Sequence, residues 1–462
     1  TSLHVEPVSF LNSFTKHSFS NTNPTTTKKL EMVYRRIHSL FCLCLMIGVT
    51  HLSCAQEVAE ADTSLADSKV DSMVIKHPCV DFSQNHFTGD TNSVFLRNYY
   101  QQFDQMLRSK SGALNIIHFG GSHIQVDIWS NLLRERLQSI DTNVRGARGI
   151  LFPFKAAGTN RPYSYYVDWT GEWEGHRSAY NKHQSTWGVS GITAPATDAS
   201  ASLRCPGTQS PYPVKTKSLP VLSNIDSTAY ALTIDPFMAV DYTMDTTRDG
   251  YLNIVFDQPI DSFNLRFHKP DSIADELQFY GVISDNEQPG IRYHSIGVNG
   301  SRFVSFKRCE LFQEQLKYLD PDLVIMSIGT NDSSDPDYDS LTYRNNFREF
   351  LTMMRWANPE CAFILTVPND NYVRRKYHND NLRSVRYIIY DLAEEFDARV
   401  WDLYGIMGGS GSAKTWEEAE MMKADLVHFT NAGYRLKGDV FYRAWLEDYL
   451  KWFNDQQPVW NE

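Results

Sequence analysis

Three short segments, far apart in the chain, carry residue types that could perform acyl chemistry together. In HFGGSHIQ (118–125), Ser122 follows Gly120 and Gly121, where a tight turn can lift a hydroxyl clear of a strand end; a helix N-cap would use the same residues. In SIGTNDSS (327–334), an apolar run ends in Gly329, Thr330, Asn331 and Asp332. An asparagine there can aim its amide N–H at a developing oxyanion, or simply close a turn. KADLVHFT (423–430) spaces Asp425 and His428 three residues apart, so that a carboxylate can orient the imidazole that takes a proton from a serine hydroxyl. Asp332 reads as a brace for the Asn331 loop, because Asp425 already has the useful spacing. His118 and His123, which flank the serine turn, read as structural histidines.

The elements that must position these residues alternate. Residues 93–109 show apolar side chains at helical spacing, ALNIIHF (113–119) is a buried-strand run, and DIWSNLLRERLQSI (127–140) carries an amphipathic stripe at Ile128, Leu132, Leu133 and Leu137. The pattern returns in the apolar runs 322–329, 361–368 and 398–403, separated by helical stretches at 341–356 and 378–396. A parallel sheet with helices on both faces is the expectation. Between 155 and 290 the chain reads differently, with short alternating runs such as YALTI, YLNIVF and FNLRFH and no comparable helix, which predicts an all-β insertion. Its start is dense in aromatics: Tyr163, Tyr165, Tyr166, Trp169, Trp173, Tyr180 and Trp187. They read either as sandwich core or as a platform for sugar rings, with Trp169, Trp173 and Trp187 as the substrate-contact candidates. Trp401 and Trp416 could flank a ligand, but core packing is the preferred reading for both.

The order Ser122, Gly300, Asn331, Asp425, His428 resembles the SGNH, or GDSL-like, hydrolase family. The resemblance implies a flavodoxin-like α/β/α sandwich with Ser122, Asp425 and His428 as catalytic residues. It also implies an oxyanion hole made by the backbone N–H groups of Ser122 and Gly300 and the Asn331 amide. Within HSIGVNGSRF, Gly297 is the weaker candidate for the glycine. The family's first block is usually Gly-Asp-Ser, and Gly121 here replaces the Asp. The long β insertion after RGARGILFP is similar to the peptidoglycan O-acetylesterase branch, which carries a carbohydrate-binding-like β module of jelly-roll or sandwich type. The implied function is removal of O-acetyl groups from a cell-wall or other polysaccharide through an acyl-enzyme on Ser122, with no metal or organic cofactor. The same constellation leaves open a lipase or lysophospholipase, a polysaccharide O-acetyltransferase and a non-catalytic glycan-binding envelope protein.

Composition sets the remaining bounds. With 462 residues, 42% hydrophobic and 21% charged, the chain is a folded globular protein large enough for several domains. A formal charge of −11 argues against nucleic acid or anionic lipid and leaves a neutral or locally steered partner; the resemblance implies that this partner is an acetylated polysaccharide. Oligomeric state is not assigned. Residues 1–31 read as disordered or upstream of the start at Met32, and 32–55 as a signal peptide with Arg35 and Arg36 before an apolar stretch and Ser53 and Ala55 at the cleavage site. The stretch is too short for a stable membrane span. Export to the periplasm or medium follows, with lipidation at Cys54 as the lesser alternative. The expected order is then a linker (56–78), the first part of the hydrolase domain (79–154), the β-rich insertion (155–290) and the second part (291–462). Cleavage would leave Cys79, Cys205, Cys309 and Cys361, enough for one or two disulfides.

Overall fold

The structure, a computed structural model, describes residues 77–456 apart from 91–92, 208–214, 236–239, 248, 250 and 271–272. The expected signal peptide, Cys54 and most of the linker lie outside the described residues. The chain divides into two compact units, residues 1–82 and 83–462. Of the first, residues 77–82 are described, and there Val80 N–H donates to His77 O at 3.1 Å. No helix among the described residues is long and apolar enough to cross a membrane.

The second unit is built on a sheet of seven strands: β1 (Phe87–Thr88), β2 (Ala113–Gly120), β3 (Gly146–Ala147), β4 (Gly290–Gly297), β5 (Leu323–Ser327), β6 (Ala362–Val367) and β7 (Arg399–Asp402). Their order is β1-β7-β6-β5-β2-β4-β3, parallel throughout except for β1. Every residue of β6 is buried, as continuous apolar runs demand when helices cover both faces. Its helices include α1 (Val94–Ser109), α2 (Ser122–Gln125), α3 (Trp129–Gln138), α4 (Phe312–Leu319), α5 (Thr330–Ser333), α6 (Ser340–Ala357), α7 (Leu382–Glu395) and α8 (Asn431–Asp455). Neighbouring side chains of β2 show the two faces. His118 meets Trp129 of α3 edge-on at 4.4 Å, whereas Phe119 packs on Phe312 of α4 and Phe350 of α6 at 5.7 and 5.4 Å. This is the α/β/α sandwich expected from the alternation of elements.

The helix expected over 378–396 begins later, at Leu382. Residues Tyr372–Val373 and Tyr377–His378 instead pair as a two-stranded hairpin. The strands between Gly149 and Ser284 pair antiparallel in two further sheets, of four and seven strands. They draw in Gly149–Leu151, upstream of residue 155, which pairs with Leu277–Ser284. One hydrophobic core runs from Phe119 and Met326 of the parallel sheet to Leu219, Phe256 and Phe279 of the antiparallel strands. Cys79, Cys205, Cys309 and Cys361 are free thiols, so none of the disulfides that the sequence leaves possible among them is present. Burial pushes the Cys309 thiol up to about 12, which keeps it protonated and unreactive.

Candidate active site

The neighbours of β2 are β4 and β5, so the connection order reverses there; in open α/β sheets the crevice at the carboxyl end of such strands is where ligands bind. The register places Gly120 level with Gly297 of β4 and Ser327 of β5. Ser122, Gly300 and Asn331 lie two, three and four residues beyond these strand ends and so reach one place. His118 ties the three strands beneath them, its Nδ1 2.7 Å from Tyr293 Oη and its Nε2 3.0 Å from Ser327 Oγ. Burial holds this imidazole neutral, which fits the structural role read from the sequence.

The loop before α8 brings His428 to Ser122. Ser122 Oγ lies 2.8 Å from His428 Nε2, and His428 Nδ1 lies 2.9 Å from Asp425 Oδ2. The other carboxylate oxygen of Asp425 accepts the backbone N–H groups of Val427 and His428 at 2.9 and 2.8 Å. Partial burial works to raise the Asp425 pKa, but these two donors and the imidazole outweigh it and hold the carboxyl below its ordinary value. It is therefore ionised at neutral pH and stabilises an imidazolium on His428.

A single stretch braces both sides of the site. Tyr372 N–H donates to Leu426 O at 3.1 Å and Asn369 Nδ2 to Val427 O at 3.2 Å, fixing the Asp425–His428 loop. Asn379 Nδ2 donates to Ser333 Oγ at 2.9 Å, fixing α5, on which Asn331 sits.

The oxyanion side is equally defined. Asn331 Nδ2 spends one hydrogen on Ser301 O at 3.0 Å, leaving the other for the cavity. Neither Ser122 N–H nor Gly300 N–H has a protein acceptor among the described residues. Gly300 adopts φ +82°, a conformation that favours glycine, and no atom lies within 4 Å of where its Cβ would stand. Gly297 differs: a Cβ there would stand 2.1 Å from Gln125 N, so this glycine lets β4 pack on α2 and Gly300 is left as the oxyanion candidate. A Cβ at Gly121 would come 3.1 Å from Asn331 Nδ2, so the residue that departs from Gly-Asp-Ser gives Asn331 its room. Asp332 Oδ1 accepts Phe303 N–H at 3.2 Å, and burial raises its carboxyl to about 7; it braces the loop as expected.

Two residues not singled out from the sequence hold this arrangement. Gln125 Oε1 accepts Asn299 N–H at 2.7 Å while its Nε2 donates to Asn160 O at 2.8 Å, clamping the Gly300 loop to residues 159–161. Tyr434 Oη lies 3.0 Å from His123 Nδ1, and the buried His123 ring stacks on His428 at 5.1 Å. Gln125 sits one helical turn after Ser122, which is the signal that could have found it.

The groups open into a cavity of about 470 Å³ lined by Ser122, Gly300, Asn331 and His428 among others. Trp169, Trp173 and Trp187 are not brought to it. Trp187 is 3% exposed, its indole N–H donating to His176 O at 2.9 Å, and it offers no face to a sugar. Trp173 packs edge-on against Phe267 at 6.0 Å, while Trp169 is 43% exposed on the strand Asp168–Thr170. Trp401 and Trp416 are core residues, as preferred from the sequence.

Residues 273–436 match the model of the GDSL-like lipase/acylhydrolase family. The matched part is about a third of the chain. The matched span contains Gly300, Asn331, Asp425 and His428, and the sheet order brings Ser122 to the same crevice from upstream of it. A solved structure described as "Peptidoglycan O-acetylesterase in action, 5 min" shares the fold, with TM-score 0.64 and 19% identity over 76% of this chain and 96% of that one. The lipase/acylhydrolase from Enterococcus faecalis matches at 22% identity over 36% of this chain and 78% of that one, with TM-score 0.28. An acetyl xylan esterase matches at 15% identity over 33% and 81% respectively, also with TM-score 0.28. No curated protein matches the chain.

If Asn331 is an oxyanion donor, as its sequence position and geometry suggest, Asn331→Ala removes one of three such donors. The expected result is a fall in kcat of roughly 10²- to 10³-fold, with KM little changed because the donor acts on the transition state. Steady-state hydrolysis of p-nitrophenyl acetate measures it; a drop confined to KM would remove Asn331 from the oxyanion hole.

Proposed function

We propose that the protein is an exported serine acetylesterase that removes O-acetyl groups from a cell-wall or related polysaccharide. The observation that carries this reading is the contact chain Ser122–His428–Asp425, opening on a cavity into which the Ser122, Gly300 and Asn331 donors converge. His428 Nε2 takes the Ser122 proton as Oγ bonds to the acetyl carbonyl carbon. The carbonyl oxygen gains the negative charge, which the three N–H donors stabilise. Collapse of this intermediate breaks the ester C–O bond, and the imidazolium gives its proton to the departing sugar oxygen, which leaves as a hydroxyl. Water, deprotonated by His428, then attacks the acetyl-enzyme and releases acetate and free Ser122.

Acetyl and glycan specificity are supported by the lining, in which Val126, Ile328 and Val427 are the aliphatic side chains amid Gln125, Asn160, Arg161, Asn299 and Lys423. A lipase would want a long apolar groove for its acyl chain. A solved structure that shares the fold over 76% of the chain is described as that of a peptidoglycan O-acetylesterase. In this reading, residues 155–290 are an inserted module between the two parts of the hydrolase domain, 79–154 and 291–462, with a cleaved leader at 32–55 and a linker at 56–78. Acetate release from O-acetylated peptidoglycan and from acetylated xylan, beside long-chain p-nitrophenyl esters, tests the proposal. Acetate release with rates that collapse beyond short acyl chains is expected. Preference for long chains would make it a lipase, and acetyl transfer to an added sugar without acetate release would make it a transferase.

A further inference from the structure

The chain carries 55 acidic and 44 basic residues, yet no carboxylate lines the cavity, and its two charged lining residues, Arg161 and Lys423, are cations. Neither is paired with a carboxylate among the described residues. This sets them apart from Arg136, Arg266, Arg292, Arg348 and Arg443, each of which lies against an acidic side chain.

Both cations are held to catalytic elements by their own backbone neighbourhood. Asn160 O accepts from Gln125 of α2, and Tyr163 N–H donates to Val126 O at 2.8 Å, so Arg161 sits on a segment pinned at two points beside the serine turn. Its guanidinium lies 5.7 Å from the Tyr166 ring centroid. Lys423 N–H donates to His428 O at 2.8 Å, so this lysine is carried by the base loop itself. The nearest carboxylate in sequence, Asp425, spends its oxygens on the Val427 and His428 N–H groups and the imidazole. Two unneutralised cations placed on separate catalytic segments of an acidic protein form a local positive field at the mouth of the ester-binding cavity.

We propose that Arg161 and Lys423 select acetylated glycans that carry a carboxylate close to the acetyl ester, over neutral acetylated glycans. The proposal rests on the acetylesterase reading and names its substrate class. Two sources share the chemistry: peptide carboxylates on peptidoglycan and ring carboxylates of a uronic-acid polymer. A guanidinium on one side and an ammonium on the other would hold the anion through charge-assisted hydrogen bonds while the ester sits over Ser122.

The experiment compares kcat/KM of the purified protein for acetate release from O-acetylated peptidoglycan, an O-acetylated polygalacturonate and neutral acetyl xylan, in wild type, Arg161→Gln, Lys423→Gln and the double variant. Expected is a preference for an anionic substrate over xylan that falls roughly fivefold to tenfold with each substitution, through KM and not kcat, and that weakens as salt is raised. Which anionic polymer leads identifies the source. A merely structural effect would lower activity on charged and neutral substrates alike and leave their ratio standing. A wild-type ratio near one, or a ratio that both substitutions leave unmoved, would overturn the proposal. Turnover of p-nitrophenyl acetate in parallel separates the two ideas: with turnover and no charge preference the selectivity fails alone, and without it the acetylesterase reading fails and takes the selectivity with it.

Discussion

Ser122→Ala is expected to lower ester turnover on the order of 10⁴- to 10⁶-fold while leaving the fold intact. In the proposed mechanism Oγ bonds to the acyl carbon, and its partner His428 Nε2 at 2.8 Å has no other nucleophile to activate within the triad. The substitution removes one partly exposed hydroxyl at the start of α2 and leaves Gly121 and Gly300 in place, so the thermal midpoint is expected to stay close to wild type. The residual rate would come from the oxyanion donors acting on a water molecule. Parallel kinetics and thermal melts check this; wild-type turnover in the variant would remove Ser122 from the chemistry.

The second large effect is on stability. Asp127, buried just after α2, lies 3.3 Å from Arg134 and 2.7 Å from Arg148 and accepts from Ser130 at 2.6 Å and from Ser164. The group knots the serine segment to the strand-rich side of the cleft. Burial alone would raise the Asp127 pKa, but the two guanidinium groups and the two hydroxyls overcome it and hold the carboxyl well below the usual range. Arg148 Nε and Nη1 have no hydrogen-bond partner among the described residues, and its Nη2 reaches Asp127 at 2.7 Å and Ser164 Oγ at 2.8 Å, so Asp127 is the carboxylate that faces this charge. Asp127→Asn would strand two buried cations and is expected to cost about 3–5 kcal/mol. That corresponds to a drop in thermal midpoint of roughly 5–10 °C. Arg443→Gln, which breaks the more exposed helical pair with Glu447, should cost no more than about 1 kcal/mol and serves as the control.

The pH dependence follows from the sign of the shift. A carboxyl whose native pKa is depressed contributes stability that is fully present above its unfolded value, about 3.9, and is lost as pH falls through the native value. The gap between wild type and Asp127→Asn should therefore be constant near neutrality and narrow only in strong acid. A gap that instead closed between pH 6 and 8 would show that another group carries the effect.

Much of this site was legible in the sequence because its chemistry depends on local order. A serine behind two glycines, an asparagine at a strand end and a carboxylate three residues before a histidine each mark a local geometry, and the parallel register then brings them together. The apolar runs of β5 and β6 were readable for the same reason. What was not legible depends on contacts between distant residues. The Asp127–Arg134–Arg148 knot joins positions that share no periodic pattern, and Gln125 looks like any polar residue on a short helix. Aromatic density before residue 190 could not say which ring faces out, and Trp187 is buried with Arg308 over its ring at 4.6 Å. The hairpin ending at His378 was read as the start of a helix because its residues continue into a helical stripe. His378 is held there by Asp370 and Asp380, each at 2.8 Å, a tertiary clamp that propensity does not encode.

The central claim is an acetyl-enzyme on Ser122. Rapid acid quenching of the protein during turnover of p-nitrophenyl acetate, followed by intact-mass and peptide mass spectrometry, tests it most directly. A single acetyl adduct is predicted on the peptide containing Ser122, absent in Ser122→Ala and accumulating when deacylation is slowed. Acetate release with no adduct there, or with the acetyl group on another residue, would contradict it.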